Sequence, residues 1–372
     1  MDCIISFIPM ATESNGISLI RIGEAAEYLG VSKSTVYRMV EQGILTPSKT
    51  PGGQRRFNTE ELDDYLKRSV SLEAPASQSS RPEKEAEAPK VDPRNQLNDL
   101  TGREWMPATK SYMFQRGLGA NHPDAAIERQ HPAPYSFQDI QTLVEFFTKK
   151  GMTVLDPFGG VGSTAKACAL SGRKCISIEL QQKWHELAIQ RLETEVGEGA
   201  SKAHCFLQGD SREILKTLTN DSVDFVVTSP PYWSILNKKA DHKVKVGRIA
   251  QNLATNYSDD DPHDLASIRD YGEFNDSLVN EFIVPAAECL KTSKYLCLVV
   301  SDFRDKSKFV SFHSDLIQLL DGKEIGENSK LTLQGTKILL QNHKSLLPYG
   351  YPFAYVENIH HQYILIFRKV KK

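Results

Sequence analysis

The sequence predicts an α/β domain with a largely parallel sheet, preceded by a small, mainly helical domain. The chain of 372 residues is long for a single core. Residues 71–95 are rich in Pro, Ser, Ala, Glu and Lys and have almost no large apolar side chains, which predicts a flexible linker. Beyond it, short strand-like runs alternate with helical runs. We therefore expect domains at 17–70 and 96–372, joined by the linker 71–95.

The alternation in the longer domain rests on five candidate strands and three candidate helices. The strand candidates are Val154–Leu155, Cys175–Ile178, Phe225–Val227, Tyr295–Val300 and Tyr363–Phe367. The helix candidates are Ser163–Leu170, Lys183–Leu192 and Asn275–Leu290. Because parallel strands need helical crossovers between them, this order favours a sheet covered by helices.

Composition narrows the functional classes. The formal net charge is -2, so a nucleic-acid partner would need a local basic patch. The six cysteines form no CxxC pair and no zinc-like spacing, which predicts reduced thiols in a cytoplasmic protein without a metal site. No apolar run approaches the ~20 residues that a membrane span needs, and the N-terminus lacks the basic start of a signal peptide.

The first domain has the pattern of a helix-turn-helix with a basic wing. A short helix over Glu24–Leu29 ends at a glycine, and Ser32 then caps a second helix, Lys33–Glu41. A glycine-rich basic turn follows, from Lys49 to Phe57. Between Lys33 and Arg56 five cations face one acid, which is the local patch that the net charge hides.

These residues resemble the MerR/excisionase-type winged helix-turn-helix. The resemblance implies DNA contacts by the second helix in the major groove and by the wing on the backbone. The implied contact residues are Lys33, Ser34, Thr35, Tyr37, Arg38, Arg55 and Arg56. The alternative is a small helical module that binds a protein.

A glycine loop gives the strongest local cofactor signal. The run from Thr153 to Thr164 reads as a strand that ends at Asp156, a glycine loop and a helix start. Such a loop lets the backbone approach a ligand and presents amide donors. Glu179, about twenty residues on, can accept hydrogen bonds from ribose hydroxyls. A dinucleotide fingerprint over Gly160–Ala165 is the rival interpretation, but Asp156 would repel a pyrophosphate and suits a cationic ligand such as S-adenosylmethionine.

A second motif follows the strand Val223–Val227. Ser229-Pro230-Pro231-Tyr232 combines a hydroxyl, a rigid backbone with a free carbonyl and an aromatic ring. An exocyclic base amine is a poor nucleophile, and acceptors that hold its N–H groups localise its lone pair. The Ser229 hydroxyl and the Pro230 carbonyl can do this, while Tyr232 can stack on a base flipped out of the duplex. The alternative is ordinary turn chemistry.

With these motifs in this order, residues 96–372 resemble the N4-cytosine/N6-adenine class of DNA methyltransferases, which have a Rossmann-like fold. The resemblance implies S-adenosylmethionine as cofactor and double-stranded DNA as partner. It also admits a restriction enzyme encoded nearby, which this chain does not decide. The implied cofactor residues are Tyr135, Asp156, Phe158, Gly159, Gly162, Glu179 and Asp210. The implied catalytic residues are Ser229, Pro230, Pro231 and Tyr232.

The target base and the source of specificity stay open. Ser229 favours cytosine N4 by resemblance, with adenine N6 as the alternative. We expect the DNA sequence to be recognised either by the helix-turn-helix or by the 234–269 loop. The alternative interpretation of that loop is a solvated segment without a role in recognition. That loop carries Lys238, Lys239, His242, Lys243, Lys245 and Arg248. Rival functions are an RNA or protein methyltransferase and a DNA-binding regulator with a sensor domain.

Overall fold

The computed structural model divides the chain into two compact units, residues 1–87 and 88–372. It describes residues 19–29, 31, 33–41, 43–49, 54–62, 90–115, 124–233, 253–256, 261–306, 308–341, 344 and 346–372. Most of the predicted linker, residues 71–89, lies outside these ranges. The boundaries at 17–70, 71–95 and 96–372 therefore stay predictions.

The smaller unit contains two described helices and a three-stranded antiparallel sheet. Its elements are β1 (Leu19–Ile20), α1 (Ile22–Tyr28), α2 (Lys33–Glu41), β2 (Ser48–Lys49) and β3 (Arg55–Asn58), and residues 59–62 are again helical. Strand β3 lies between β1 and β2. Helix α1 begins two residues before the predicted start, because the Glu24 carboxylate accepts a hydrogen bond from the Arg21 amide at 2.7 Å and caps the first turn. The core of this unit consists of Ala25, Ala26, Val36, Met39, Leu45, Phe57 and Leu62.

A nine-stranded mixed sheet organises the larger unit. Its strands are β4 (Tyr112–Phe114), β5 (Thr153–Asp156), β6 (Lys174–Glu179), β7 (Cys205–Gln208), β8 (Val223–Thr228), β9 (Leu290–Val300), β12 (Glu324–Ile325), β13 (Ser329–Leu340) and β14 (His361–Lys371). A separate hairpin joins β10 (Phe303–Asp305) to β11 (Lys308–Val310). The strand order is β12-β13-β14-β9-β8-β5-β6-β7, and β4 pairs with β13.

The sheet is parallel in one half and mainly antiparallel in the other. Strands β7, β6, β5, β8 and β9 run parallel, whereas β14 is antiparallel to both of its neighbours. The expectation of a largely parallel sheet is therefore correct for five strands and wrong for the β12–β14 half. The described residues of the connection from β13 to the adjacent β14 contain no crossover helix, as is usual for neighbouring antiparallel strands.

Helices cover both faces of the sheet. They are α3 (Gly102–Ala108), α4 (Ala125–Glu128), α5 (Phe137–Phe147), α6 (Ser163–Ser171), α7 (Gln182–Glu195), α8 (Ser211–Thr217), α9 (Tyr271–Ser277), α10 (Val284–Cys289) and α11 (Phe312–Leu320). Strand β8 contributes side chains to two hydrophobic cores. Phe225 and Val227 pack with α5 and α6 in one core, and Val226 packs with α9–α11 in the other. Among the described residues, every helix is too short or too polar to cross a bilayer.

One of the three predicted helices differs from its expected form. The run predicted as a single helix over Asn275–Leu290 is α9, a π-helical turn at Leu278–Ile283 and then α10. Pro285, in the first turn of α10, has no amide to donate into the preceding turn, which explains the change in hydrogen-bond pattern. Leu290 already belongs to β9. The other two helices and all five strand candidates lie within observed elements.

The two glycines that flank α6 give a matched test of the packing. Both are left-handed, with φ of 75° at Gly162 and 71° at Gly172. A Cβ on Gly162 would lie 2.9 Å from the Ala188 Cβ, whereas one on Gly172 would meet only the flexible Lys150 side chain at 3.8 Å. Gly162→Ala should therefore cost about 2–5 kcal/mol of stability, from backbone strain plus overpacking. Gly172→Ala should cost about 1–2 kcal/mol, from backbone strain alone.

Urea unfolding followed by tryptophan fluorescence measures this difference. All three tryptophans, Trp105, Trp184 and Trp233, lie in the larger unit, so the signal reports on that unit alone. Equal losses of stability in the two variants would contradict the close approach of α6 to α7 at Gly162.

Candidate active site

A cleft opens at the carboxyl ends of the parallel strands β5, β6, β7 and β8. The glycine loop between β5 and α6 forms one wall, and the loop after β8 reaches the cleft through Ser229 and Pro231. Ligands of Rossmann-like sheets bind at this edge. The expected site residues that line the cleft are Tyr135, Phe158, Gly159, Glu179, Asp210, Ser229 and Pro231.

Asp156, at the end of β5, lies inside the cleft wall instead of on its surface. Its side chain is fully buried, and both carboxylate oxygens are hydrogen-bonded. One accepts from the Thr228 hydroxyl at 2.6 Å and the Phe158 amide at 3.0 Å. The other accepts from the Tyr135 hydroxyl at 2.6 Å and from the Thr164 hydroxyl. Burial raises the pKa of Asp156, although these four hydrogen bonds work against the rise.

Asp156 is not among the residues that line the cleft, so three other carboxylates set the charge of its surface. Glu179, Asp210 and Asp264 line the cleft. Among the described lining residues there is no Lys or Arg. Asp210 is paired with Arg212 at 2.7 Å and Glu179 is ionised mainly above pH 7, so the negative charge of the lining is strongest at alkaline pH, where it favours a positively charged ligand over a pyrophosphate. This charge pattern argues against the dinucleotide alternative more strongly than Asp156 alone.

The glycine loop is held tightly against β6. The Gly159 amide donates to the Ile178 carbonyl at 2.8 Å, and a Cβ on Gly159 would overlap the Ser177 hydroxyl. Gly162 has the role described above, in the approach of α6 to α7. The loop glycines therefore serve the fold as well as the cleft, because any side chain at these two positions would push the loop away from its supports.

Glu179 ends β6 and meets the glycine loop through backbone hydrogen bonds. Its carboxylate accepts from the Gly160 amide and from the Gln181 amide, each at 2.8 Å. Burial raises the pKa of Glu179 to about 7, and these two hydrogen bonds offset only part of that rise. The carboxyl group therefore changes charge close to neutral pH.

Asp210 caps the helix α8 on the far side of the cleft. Its carboxylate accepts from the Arg212 amide at 2.9 Å and pairs with the Arg212 guanidinium at 2.7 Å. Burial alone would raise the pKa of Asp210, but the hydrogen bonds and charge of Arg212 outweigh it and lower the pKa. Asp210 therefore stays ionised where Glu179 titrates.

The catalytic loop predicted at 229–232 is fixed at both ends. Thr228, just before it, donates to Asp156. At its other end the Tyr232 hydroxyl accepts a hydrogen bond from the Gln362 amide at 2.8 Å and lies 3.4 Å from the Ser229 hydroxyl. Burial raises the pKa of Tyr232, so its hydroxyl stays protonated. Pro230 is buried within the loop.

Several residues at the site carry no sequence signal of their own. Gln362 lies on β14, 130 positions from Tyr232, and Asp264 and Phe282 reach the cleft from later segments. Trp184 is buried and also borders the cleft. The basic part of the 234–269 loop, from Lys238 to Arg248, lies outside the described residues. Among the described residues, no group of three or more His, Cys, Asp or Glu side chains is arranged to hold a metal ion.

The smaller unit presents part of its expected DNA-contact set on its surface. Lys33, Tyr37 and Arg55 are exposed, and the Arg55 guanidinium lies 5.7 Å from the centre of the Tyr37 ring. Thr35 and Arg56 are half-buried. Ser34 and Arg38 lie on α2, and their side chains are outside the described part of the structure. The cation–ring contact joins α2 to the β3 strand of the wing.

Comparisons with known proteins found a family model, curated relatives and solved structures that are similar to parts of this chain. Residues 19–69 match the family model of a helix-turn-helix domain. The putative methylase YubD of Escherichia coli K12 is 45% identical over 64 residues, which is 17% of this chain and 28% of that protein. The type II methyltransferase M.BglI of Bacillus subtilis is 33% identical over 97 residues, or 26% of each chain. A solved structure, TrmN from Thermus thermophilus, aligns with a TM-score of 0.36 and 17% identity over 67% of this chain and 52% of that one.

The chain spans about a quarter of the length of the curated relatives it matches. Two expectations from the sequence are nevertheless confirmed: the resemblance to methyltransferases, and the fold, a Rossmann-like sheet with a helix-turn-helix before it. The chain therefore combines a helix-turn-helix domain at its N-terminus with a methyltransferase-like domain that carries the cleft.

Proposed function

We propose that this protein is a DNA methyltransferase that transfers a methyl group from S-adenosylmethionine to the exocyclic amine of a flipped base. One observation carries the proposal. The Ser-Pro-Pro-Tyr loop enters, through Ser229 and Pro231, the same cleft that the glycine loop and Glu179 line. Cofactor and acceptor base could therefore meet in one cleft.

The residues of the cleft fit the proposed cofactor. The Glu179 carboxylate would accept hydrogen bonds from the ribose hydroxyls. By resemblance Asp210 would contact the adenine of the cofactor, and Asp264 would favour its positive charges. Phe158 and Phe282, whose ring centres are 5.0 Å apart, provide an apolar wall for a purine ring. The bound cofactor supplies a methyl group on a positively charged sulfur.

The chain's own contribution to the reaction is to orient the acceptor amine. Ser229 and the Pro230 carbonyl would accept its N–H groups, so that the nitrogen lone pair points toward the methyl group. Tyr232 would stack on the base, with its ring orientation fixed by the bond from Gln362. Positioning and electrostatics then account for the rate, without a covalent enzyme intermediate.

Two features bear on the substrate. The helix-turn-helix, with Lys33 and Arg55 exposed, suits a duplex groove and argues against an RNA or protein substrate. Ser229 favours cytosine N4 as the acceptor, and adenine N6 is the second candidate because the same loop chemistry serves both amines.

Methyl transfer to duplex DNA tests the proposal directly. The protein should transfer label from S-adenosylmethionine to DNA, and nucleoside mass spectrometry should find N4-methylcytosine. N6-methyladenine instead would keep the chemistry and change the base. The variants Ser229→Ala and Tyr232→Ala should lose transfer by at least about a hundredfold while cofactor affinity stays within about twofold.

Ser222→Ala is the matched control. Ser222 lies just before the first residue of β8, at the end of the strand away from Ser229, and its hydroxyl donates to the nearby Thr219 carbonyl. It should retain activity. Cofactor binding without transfer to any DNA would contradict the proposed substrate, and loss of cofactor binding in the Ser229 and Tyr232 variants would contradict their assigned roles.

The pKa of Glu179 predicts a pH dependence for cofactor binding. The ionised carboxylate accepts from hydroxyls, and with a pKa of about 7 in the free protein it becomes protonated as the pH falls. The dissociation constant should therefore rise about tenfold from pH 8 to pH 6. Asp210 has a lowered pKa and stays charged over this range.

Isothermal titration of S-adenosylmethionine at several pH values measures the effect. Glu179→Gln should bind more weakly at pH 8 and show almost no change between pH 8 and pH 6. The same tenfold change in this variant would assign the dependence to another group.

The basic surface of the smaller unit predicts a salt-dependent term in DNA affinity. If Lys33 and Arg55 each neutralise one phosphate, the double variant Lys33→Ala/Arg55→Ala should reduce the slope of log K against log salt by about 2. Fluorescence anisotropy with a labelled duplex measures the slope. Lys330→Ala, an exposed lysine where β13 begins, is the control and should leave it unchanged. An unaltered slope in the double variant would place the DNA contact elsewhere.

A further inference from the structure

An unusual surface lies in the segment between β13 and β14. Residues 346–356 contain no charged side chain and expose large apolar rings to solvent. The exposed fraction is 81% for Tyr351, 93% for Phe353 and 86% for Tyr355. Leu346 is exposed by 77% as well. Soluble proteins rarely expose a contiguous apolar patch of this extent unless it is an interaction site.

The segment is built to hold these rings outward. Asn358 bridges its base, because its side chain accepts from the Leu347 amide and donates to the Leu347 carbonyl, both at 2.9 Å. At its tip the Phe353 and Ala354 amides both donate to the Gly350 carbonyl at 2.7 Å. Gly350 has a φ of 72°, and a side chain there would overlap the Ala354 carbonyl. These bonds close a compact loop, so the rings are displayed by a formed structure.

The loop also stands at the edge of the sheet where the catalytic loop lies. Strand β14 begins at His361, five residues after the loop ends at Val356, and Tyr363 pairs with Val300 at the carboxyl end of β9. Gln362, the residue before Tyr363, donates from its side-chain amide to the Tyr232 hydroxyl. A base held by the catalytic loop would therefore lie at the edge of the sheet from which this loop projects.

We propose that residues 346–356 form a base-stacking wedge, in which Phe353, flanked by Tyr351 and Tyr355, enters the duplex next to the flipped nucleotide. The inference rests on the proposed function. A base that leaves the stack creates a gap, and apolar side chains that fill such a gap offset the cost of unstacking. Uncharged rings suit base faces and not phosphates, and tyrosine hydroxyls can remain in water at the rim.

Matched and mismatched duplexes separate a wedge from a general contact. Phe353→Ala in the full chain should lower kcat/KM on a fully paired duplex by at least about tenfold. On a duplex with a mismatch at the target base the loss should shrink to about twofold, because the base is already partly unstacked. Phe353→Trp should retain most activity. Leu170→Ala, an exposed apolar residue in the last turn of α6, is the control and should behave as the wild type on both substrates.

Each other outcome overturns the wedge. An equal loss on both duplexes would assign Phe353 a general contact, and no loss on either would remove it from the DNA. Self-association of the wild type that Phe353→Ala abolishes would assign the loop to a second copy of the chain. If the wild type methylates no duplex at all, the proposed function fails, and the wedge fails with it; if it does, failure of the variants concerns the wedge alone.

Discussion

The buried carboxylate of Asp156 is the interaction on which the rest of the site depends. Its four hydrogen bonds reach the start of the glycine loop at Phe158, helix α6 at Thr164, the segment before α5 at Tyr135 and the end of β8 at Thr228. An ionisable group inside a protein is tolerated only when it is hydrogen-bonded in this way. Because Thr228 is followed at once by Ser229, the hydrogen bonds of this one side chain link the glycine loop to the Ser-Pro-Pro-Tyr loop.

A second buried network supports the glycine loop from behind. The Arg191 guanidinium donates to the Val161 carbonyl at 3.3 Å and the Ser163 hydroxyl at 3.1 Å, and pairs with Glu128 and Glu195. Lys166 pairs with Glu195 as well. Removing one member of a buried ionic cluster leaves an uncompensated charge, so this network fixes the loop in one position. The glycines allow the loop to pack closely against β6 and α7, and the ion pairs behind the loop hold it in place.

Much of this arrangement could be predicted from the sequence because it is local. Each of the three motifs stands at the end of a strand that the apolar pattern predicts. They are the motif at Asp156, the carboxylate at Glu179 and the Ser-Pro-Pro-Tyr loop, and the structure has β5, β6 and β8 at those positions. Parallel strands that end at one edge bring their following residues together. The order of these motifs along the chain is therefore sufficient to predict a shared site.

What the sequence could not give depends on contacts between distant segments. The antiparallel pairing of β14 with β9 and β13 is a matter of long-range register. It is this pairing that carries Gln362 to Tyr232 and places the loop 346–356 at the same edge of the sheet as the Ser-Pro-Pro-Tyr loop. Similarly, the direction in which the Asp156 side chain points is decided by Tyr135, Thr164 and Thr228, so its motif alone suggested a ligand contact that the packing does not provide.

The charges of the cleft indicate which part of each proposed ligand can bind there. The cleft is lined by three carboxylates and, among its described residues, by no Lys or Arg, so above pH 7 it favours a positively charged cofactor over a phosphate. A DNA strand can then present only a neutral base to the cleft, and its backbone must be held elsewhere. The described cations of the helix-turn-helix suit that backbone. The uncharged ring-bearing loop is the kind of surface that can lie against the opened stack without a phosphate contact, which is why its lack of charge matters as much as its exposure.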